Sequence, residues 1–104
     1  MRAAVAIGIM LALAACARNG PPGSLAYEIG RPDAAGTPVV VRNSTWRDLK
    51  TVSVTCEWRG ANGKTAGFAE TTWIRVPWYA SRTAHFPSPA AGARLVACKT
   101  SYTR

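Results

Sequence analysis

The 104-residue sequence predicts an all-β domain, a small antiparallel sandwich or open barrel of five or six strands, and three observations carry that prediction. From Pro38 onward the apolar residues recur with period two, the spacing at which side chains alternate between the faces of a strand. Turn-forming clusters at Asn43-Ser44-Thr45, Arg59 to Lys64, Pro77-Trp78-Tyr79 and Ser88 to Gly92 interrupt that pattern. They fall at intervals of about eight to twelve residues, as in sandwiches and barrels. No stretch after residue 37 carries an apolar stripe at helical spacing.

In chain order, the first element is a leader. Met1-Arg2 is followed by apolar or small residues from Ala3 to Ala15, then by Cys16 and the polar Ala17-Arg18-Asn19-Gly20. One basic residue, a short apolar core and a small-residue end make residues 1–15 a secretory signal peptide, and the core falls below the roughly 20 residues that a membrane-spanning helix needs. Its end, Leu13-Ala14-Ala15-Cys16, resembles the lipobox of bacterial lipoproteins. The small residues let an extended backbone enter a narrow protease groove, and the thiol is the nucleophile that takes a lipid. The resemblance implies cleavage before Cys16 and acyl chains, palmitate among them, on the new N-terminus. At about 0.8 kcal/mol per buried CH₂, two or three chains make the anchor effectively permanent. Ala17 stands where an Asp would resemble an inner-membrane retention signal, so the expected address is the periplasmic face of the outer membrane, with the inner membrane as the alternative.

Residues 16–37 read as a lipidated, flexible tether. Gly20-Pro21-Pro22-Gly23-Ser24 propagates neither helix nor sheet, because proline lacks a donor and glycine carries the largest ordering cost. Within it only Leu25, Tyr27 and Ile29 alternate as an edge strand does. The domain proper is expected over residues 38–104, opening with the β-branched strand Pro38 to Arg42. In Leu49 to Trp58, Val52, Val54, Cys56 and Trp58 share one face, while Thr51, Ser53, Thr55 and Glu57 share a wet one. The Asn62-Gly63 pair suits a tight turn. Thr65 to Val76 returns with Phe68, Thr72, Ile74 and Val76 in phase, and Glu70 breaks the phase at an expected bulge. Arg82 to Phe86, with Ala84 and Phe86 on one face, and Ala93 to Thr100 complete the set.

The order of these features resembles the FxLYD-like domains and YcfL-type lipoproteins of bacterial envelopes. Asn43-Ser44 stands in an opening turn, a Val-rich strand runs from Leu49 to Trp58, Asn62-Gly63 makes a turn, Val76-Pro77 closes the next strand, and Arg82 to Phe86 follows. The match covers residues 38 to 100 in pattern, without the Phe-x-Leu-Tyr signature itself, and it implies an immunoglobulin-like sandwich. That fold hosts many functions.

With Cys16 assigned to lipid, Cys56 and Cys98 remain, and export to an oxidising envelope makes a disulfide their natural state. The bridge is worth about 4 kcal/mol on the chain-entropy model. That is large for a domain small enough to need a staple.

The formal charge is +8, from 13 Lys plus Arg against 5 Asp plus Glu. Such a surplus suits anionic partners such as envelope polymer or lipid headgroups. The basic residues stand singly with no run of three, and no nucleic-acid partner is expected. Gly60-Ala61-Asn62-Gly63-Lys64-Thr65 mimics the end of a phosphate-binding loop, but Trp58 occupies the place of its first glycine and a strand follows where a helix is required. His85 has no second histidine or carboxylate nearby in sequence, and Glu28, Asp33, Asp48, Glu57 and Glu70 are scattered. No catalytic residue, cofactor, metal ligand or small-molecule substrate is expected, and the chain is read as non-enzymatic.

Four tryptophans stand out in so short a domain. Trp58 is in phase with the core, whereas Trp73 is out of phase and Trp46, Trp78 and Tyr79 fall in loops. With Arg47, Arg75 and Arg82 these residues form the candidate binding patch, since Trp, Tyr and Arg dominate interface hot spots. The functional expectation is an envelope lipoprotein acting as a protein-interaction or assembly module. The alternatives are an anionic-polymer or lipid binder, and a structural envelope protein with no specific ligand.

Overall fold

Six strands and no helix make up the described part of the chain, residues 24–104, in a computed structural model. The leader, Cys16 and the Gly-Pro stretch through Gly23 lie outside the described residues. The strands are β1 (Leu25–Ile29), β2 (Thr37–Asn43), β3 (Leu49–Arg59), β4 (Thr65–Val76), β5 (Ser81–Phe86) and β6 (Arg94–Thr103). They form two antiparallel three-stranded sheets, in the orders β1-β2-β5 and β4-β3-β6. This is the A-B-E and C′-C-F order of an immunoglobulin-type sandwich, without its strands D and G among the described residues.

Leu25 is buried in the core and β1 pairs along its length with β2, so the folded domain begins inside the stretch that composition marks as tether. The residues between the two strands close a turn. Asp33 and Gly36 exchange backbone hydrogen bonds at 2.9 and 3.1 Å, and the Asp33 carboxylate accepts from the Ala35 N–H at 2.8 Å. Gly36 holds φ at 125°, and a Cβ there would stand 2.6 Å from the Phe86 carbonyl oxygen. Only glycine fits the place.

The core lies between the sheets. Val39 and Val41 of β2, Ala84 and Phe86 of β5, and Val52, Val54, Cys56 and Trp58 of β3 face one another there. The alternation read from β3 therefore holds residue by residue. Its outer face is a ladder of hydroxyls, with Thr51 bonded to Thr103 at 2.7 Å and Ser53 to Thr72 at 2.8 Å.

In β4 the expected phase is inverted. Phe68 and Ile74 are 69% and 70% exposed, while Trp73 and Ala69 are half-buried and pack on the core. The bulge does not fall at Glu70, which stays in register opposite Thr55. The irregularity is at Arg75, whose φ of 54° turns the pleat so that Val76 is buried although Ile74 is not. A register shift occurs instead at the hairpin end, between Trp58 and Arg59. In β6 a second shift leaves Val96 unpaired and exposed, so Leu95, not Val96, enters the core ahead of Cys98.

Cys56 and Cys98 are bonded, and they are direct cross-strand neighbours in one sheet with Cα atoms 4.0 Å apart. The bridge therefore fixes the register of β6 on β3; it does not tie the two sheets together.

At the β3–β4 hairpin the Gly60 to Lys64 segment is a turn, and Thr65 begins β4. Gly60 N–H donates to the Lys64 carbonyl at 2.8 Å, and the Lys64 N–H donates to the Asn62 side chain at 2.9 Å. Glu57 accepts from the Thr65 hydroxyl at 2.6 Å and from the Arg59 guanidinium at 3.1 Å. These bonds, the Thr65 bond foremost, hold its carboxyl below the usual glutamate range. Because the folded-state value is the depressed one, the contribution of Glu57 to stability is present at neutral pH and lost as pH falls through that value. Replacement of Thr65 by Val is expected to move the Glu57 titration, followed by NMR, up toward the ordinary value and to make stability less sensitive to acid. An unmoved titration would show that the hydroxyl is not the cause.

Candidate functional site

The β2–β3 loop (residues 44–48) and the β4–β5 loop (residues 77–80) lie side by side, and one buried side chain joins them. Asn43 ends β2 with no exposed surface. Its side-chain amide donates to the Arg47 carbonyl at 2.8 Å and to the Val76 carbonyl at 3.0 Å. Its side-chain oxygen accepts from the Thr45 N–H at 3.0 Å and from the Thr45 hydroxyl at 2.6 Å. The backbone of Asn43 completes the junction, donating to the Ala80 carbonyl at 3.0 Å and accepting from the Tyr79 N–H at 2.8 Å. Asp48 adds a second tie by accepting from the Trp78 N–H at 2.9 Å.

What the junction displays is a group of three aromatic rings. Trp46 from the first loop stands 5.3 Å from Trp78 and 6.4 Å from Tyr79, and Trp78 stacks on Tyr79 at 4.6 Å. These are the separations at which ring quadrupoles attract. All three rings remain open to solvent, Trp46 at 61% and Tyr79 at 54%.

The backbone under them is strained. Trp46 has φ 72° and Tyr79 φ 67°, and with Arg75 these are the only non-glycine residues at positive φ among the described ones. For an L residue with a large side chain that conformation costs about 1–2 kcal/mol. In the Pro77–Ala80 turn, closed by an Ala80 N–H to Pro77 carbonyl bond of 3.0 Å, Tyr79 sits where a type II turn ordinarily takes glycine or asparagine. The Asn43 and Asp48 bonds over-determine both loops and hold the strain. Backbone strain of this kind concentrates at binding and switch sites.

Of the residues read from the sequence as a patch, Trp46, Trp78 and Tyr79 come together. Trp73 does not join them: it lies on the inner face of β4, packed against the core. Arg82 is committed to the fold, donating to the Ser81 carbonyl at 3.0 Å and, across to β4, to the Arg75 carbonyl at 3.3 Å. The guanidinium groups of Arg47 and Arg75, on exposed residues, make no hydrogen bond or ion pair among the described residues. Asn43, the centre of the junction, does not stand out in the sequence. The signal present there is an Asn two residues before a Thr at the end of a β-branched strand, the setting of an Asx turn.

The fold does bring one histidine and one carboxylate into range, contrary to the sequence separation. His85 Nε2 lies 3.9 Å from Asp33 Oδ2, with both side chains well exposed. The distance exceeds a hydrogen bond, the other Asp33 oxygen closes its own turn, and no hydroxyl or thiol among the described residues bonds to His85. No group of three or more His, Cys, Asp or Glu side chains gathers among the described residues.

Compared with known proteins, the chain matches no family model, no curated protein and no solved structure.

Proposed function

We propose that this chain is a lipid-anchored protein of the bacterial envelope, held through Cys16 at the periplasmic face of the outer membrane, and that its β domain is a non-enzymatic module that docks a protein partner through Trp46, Trp78 and Tyr79. The observation that carries the docking surface is the strained, doubly tied junction that keeps three aromatic rings in solvent. A chain under selection for stability alone would relieve positive φ with glycine and bury such rings. Aromatic residues held rigid before binding lose little conformational freedom on docking. The Leu13-Ala14-Ala15-Cys16 pattern supplies the anchoring half of the proposal.

The test is site-specific photocrosslinking in cells. A photoreactive residue at Trp46 is expected to capture a discrete protein, while one at Lys99, exposed on β6, does not capture it. Cys16→Ser is expected to release the chain from membranes and to lose the crosslink. Capture that survives high salt supports an aromatic-anchored interface. Association that collapses with salt would transfer the function to an anionic polymer or lipid, which the surplus of Lys and Arg over Asp and Glu favours.

A further inference from the structure

Strand β4 is a sheet edge of 12 residues whose irregularities, the unpaired Ala66 and the positive φ of Arg75, fall toward its two ends and leave Phe68 to Ile74 in regular register. β6 carries the unpaired Val96 and a lysine, Lys99, in mid-strand, devices that discourage a further strand. β4 has neither proline nor lysine, and its outer face is apolar at Phe68 and Ile74, both more than two-thirds exposed. Only Glu70 and Thr72 lie between them on that face. Arg82 of β5 reaches the end of this edge, at the Arg75 carbonyl, and the stretch before it has no strand partner on that side among the described residues.

The backbone polar groups of the edge are aimed outward in the same phase. The 4.0 Å Cα separation of Cys56 and Cys98 marks a pair that exchanges no backbone hydrogen bonds. The N–H and C=O of Cys56 therefore turn toward β4, and those of its opposite residue Ala69 turn toward β3. By alternation the groups of Phe68, Glu70, Thr72 and Ile74 point to the open edge.

We propose that β4 pairs antiparallel with β4 of a second copy of this chain about a two-fold axis at Thr71, joining two three-stranded sheets into one of six. In this register Phe68 lies opposite the partner's Ile74 and Glu70 opposite the partner's Thr72, twice over by symmetry. Both exposed apolar residues are covered, and no like charges meet. Centring on Glu70 sets two carboxylates against each other, which is unfavourable. Centring on Thr72 sets Phe68 opposite the partner's Val76, which is already buried in its own core. The pattern is thus self-complementary about Thr71, as a closed two-fold contact requires, and it uses none of the aromatic loop residues.

The experiment is sedimentation velocity over a concentration series on the full chain as the cell processes it. The wild-type protein is expected to dimerise reversibly. Phe68→Lys is expected to raise the dimer dissociation constant about tenfold or more, since two apolar cross-strand pairs are lost. The double variant F68K/I74E restores the dimer, because each introduced ammonium then faces an introduced carboxylate. Both positions are exposed, so the Cys56–Cys98 bridge and the far-UV circular dichroism are expected to be unchanged, which separates lost association from lost folding. A wild-type chain that stays monomeric throughout the series, a Phe68→Lys variant that dimerises normally, or a double variant no better than the single one overturns the proposal.

Discussion

Replacing Asn43 by alanine is expected to destabilise the domain by about 3 to 5 kcal/mol, the largest single-residue effect outside the hydrophobic core. The side chain is fully buried and satisfies two backbone carbonyls, of Arg47 and Val76, and one backbone N–H, of Thr45. Its removal takes this partner from the Val76 carbonyl and the Thr45 N–H, at about 1–3 kcal/mol for each group left unsatisfied, while the Arg47 carbonyl keeps the Thr45 hydroxyl. Small domains have total stabilities near the low end of about 5–15 kcal/mol, so the loss takes a large share. Equilibrium denaturation measures it. Near-UV circular dichroism reports the second half of the expectation: the coupled signal of Trp46, Trp78 and Tyr79 disappears at temperatures where the β-sheet signal persists. Thr45→Val removes only the hydroxyl bonds to Asn43 and to the Arg47 carbonyl, and about 1 kcal/mol is expected. An Asn43→Ala protein with wild-type stability and an intact near-UV spectrum would show that the two loops hold together without this side chain.

Removing the disulfide is the other large effect. Cys56 and Cys98 are 42 residues apart in sequence, and opening that loop costs about 4 kcal/mol on the chain-entropy model. The geometry says where the damage falls. The bridge joins neighbouring strands of one sheet, and β6 is an edge strand with a register fault at Val96, so it has few other means of holding its alignment on β3. In the double variant Cys56→Ala/Cys98→Ala, hydrogen exchange is expected to rise first and furthest in β6, with β2 and β5 protected until global unfolding. The denaturation midpoint is expected to fall and the m-value to rise, because the unfolded chain without its cross-link is less compact. Equal loss of protection in both sheets would mean that the bridge stabilises the sandwich as a whole and has no special hold on the β3–β6 register.

Much of the fold was legible because strands and turns are local. Val52, Val54, Cys56 and Trp58 alternate with Thr, Ser and Glu, and the buried and open faces of β3 follow that reading. The β4 strand was legible in extent, Thr65–Val76, but not in phase. Phe68 and Ile74 are the apolar residues that ordinarily mark the inner face, and in this strand they stand on the outer one. The inner positions Gly67, Ala69 and Thr71 are small, so composition pointed the wrong way. At Arg75 the positive φ reverses the pleat, and period-two counting cannot carry across such a residue.

The candidate site divides along the same line. That Trp46, Trp78 and Tyr79 lie in loops is a property of the chain near each of them, of Asn43-Ser44-Thr45 before one and Pro77 before the others. That they form one cluster is not. It depends on Asn43 reaching Val76, 33 residues away, and on strand order placing the β2–β3 and β4–β5 loops together. The exclusion of Trp73 from the cluster and the approach of Asp33 to His85 are likewise decided by which face the opposite sheet covers and by how the sheets close. By itself the sequence determined the strands, their turns and the two cysteines that join, because alternation and turn chemistry act over a few residues. The tertiary structure alone decided which face is core, which edge is open and which side chains meet, because those follow from contacts between residues far apart in the chain.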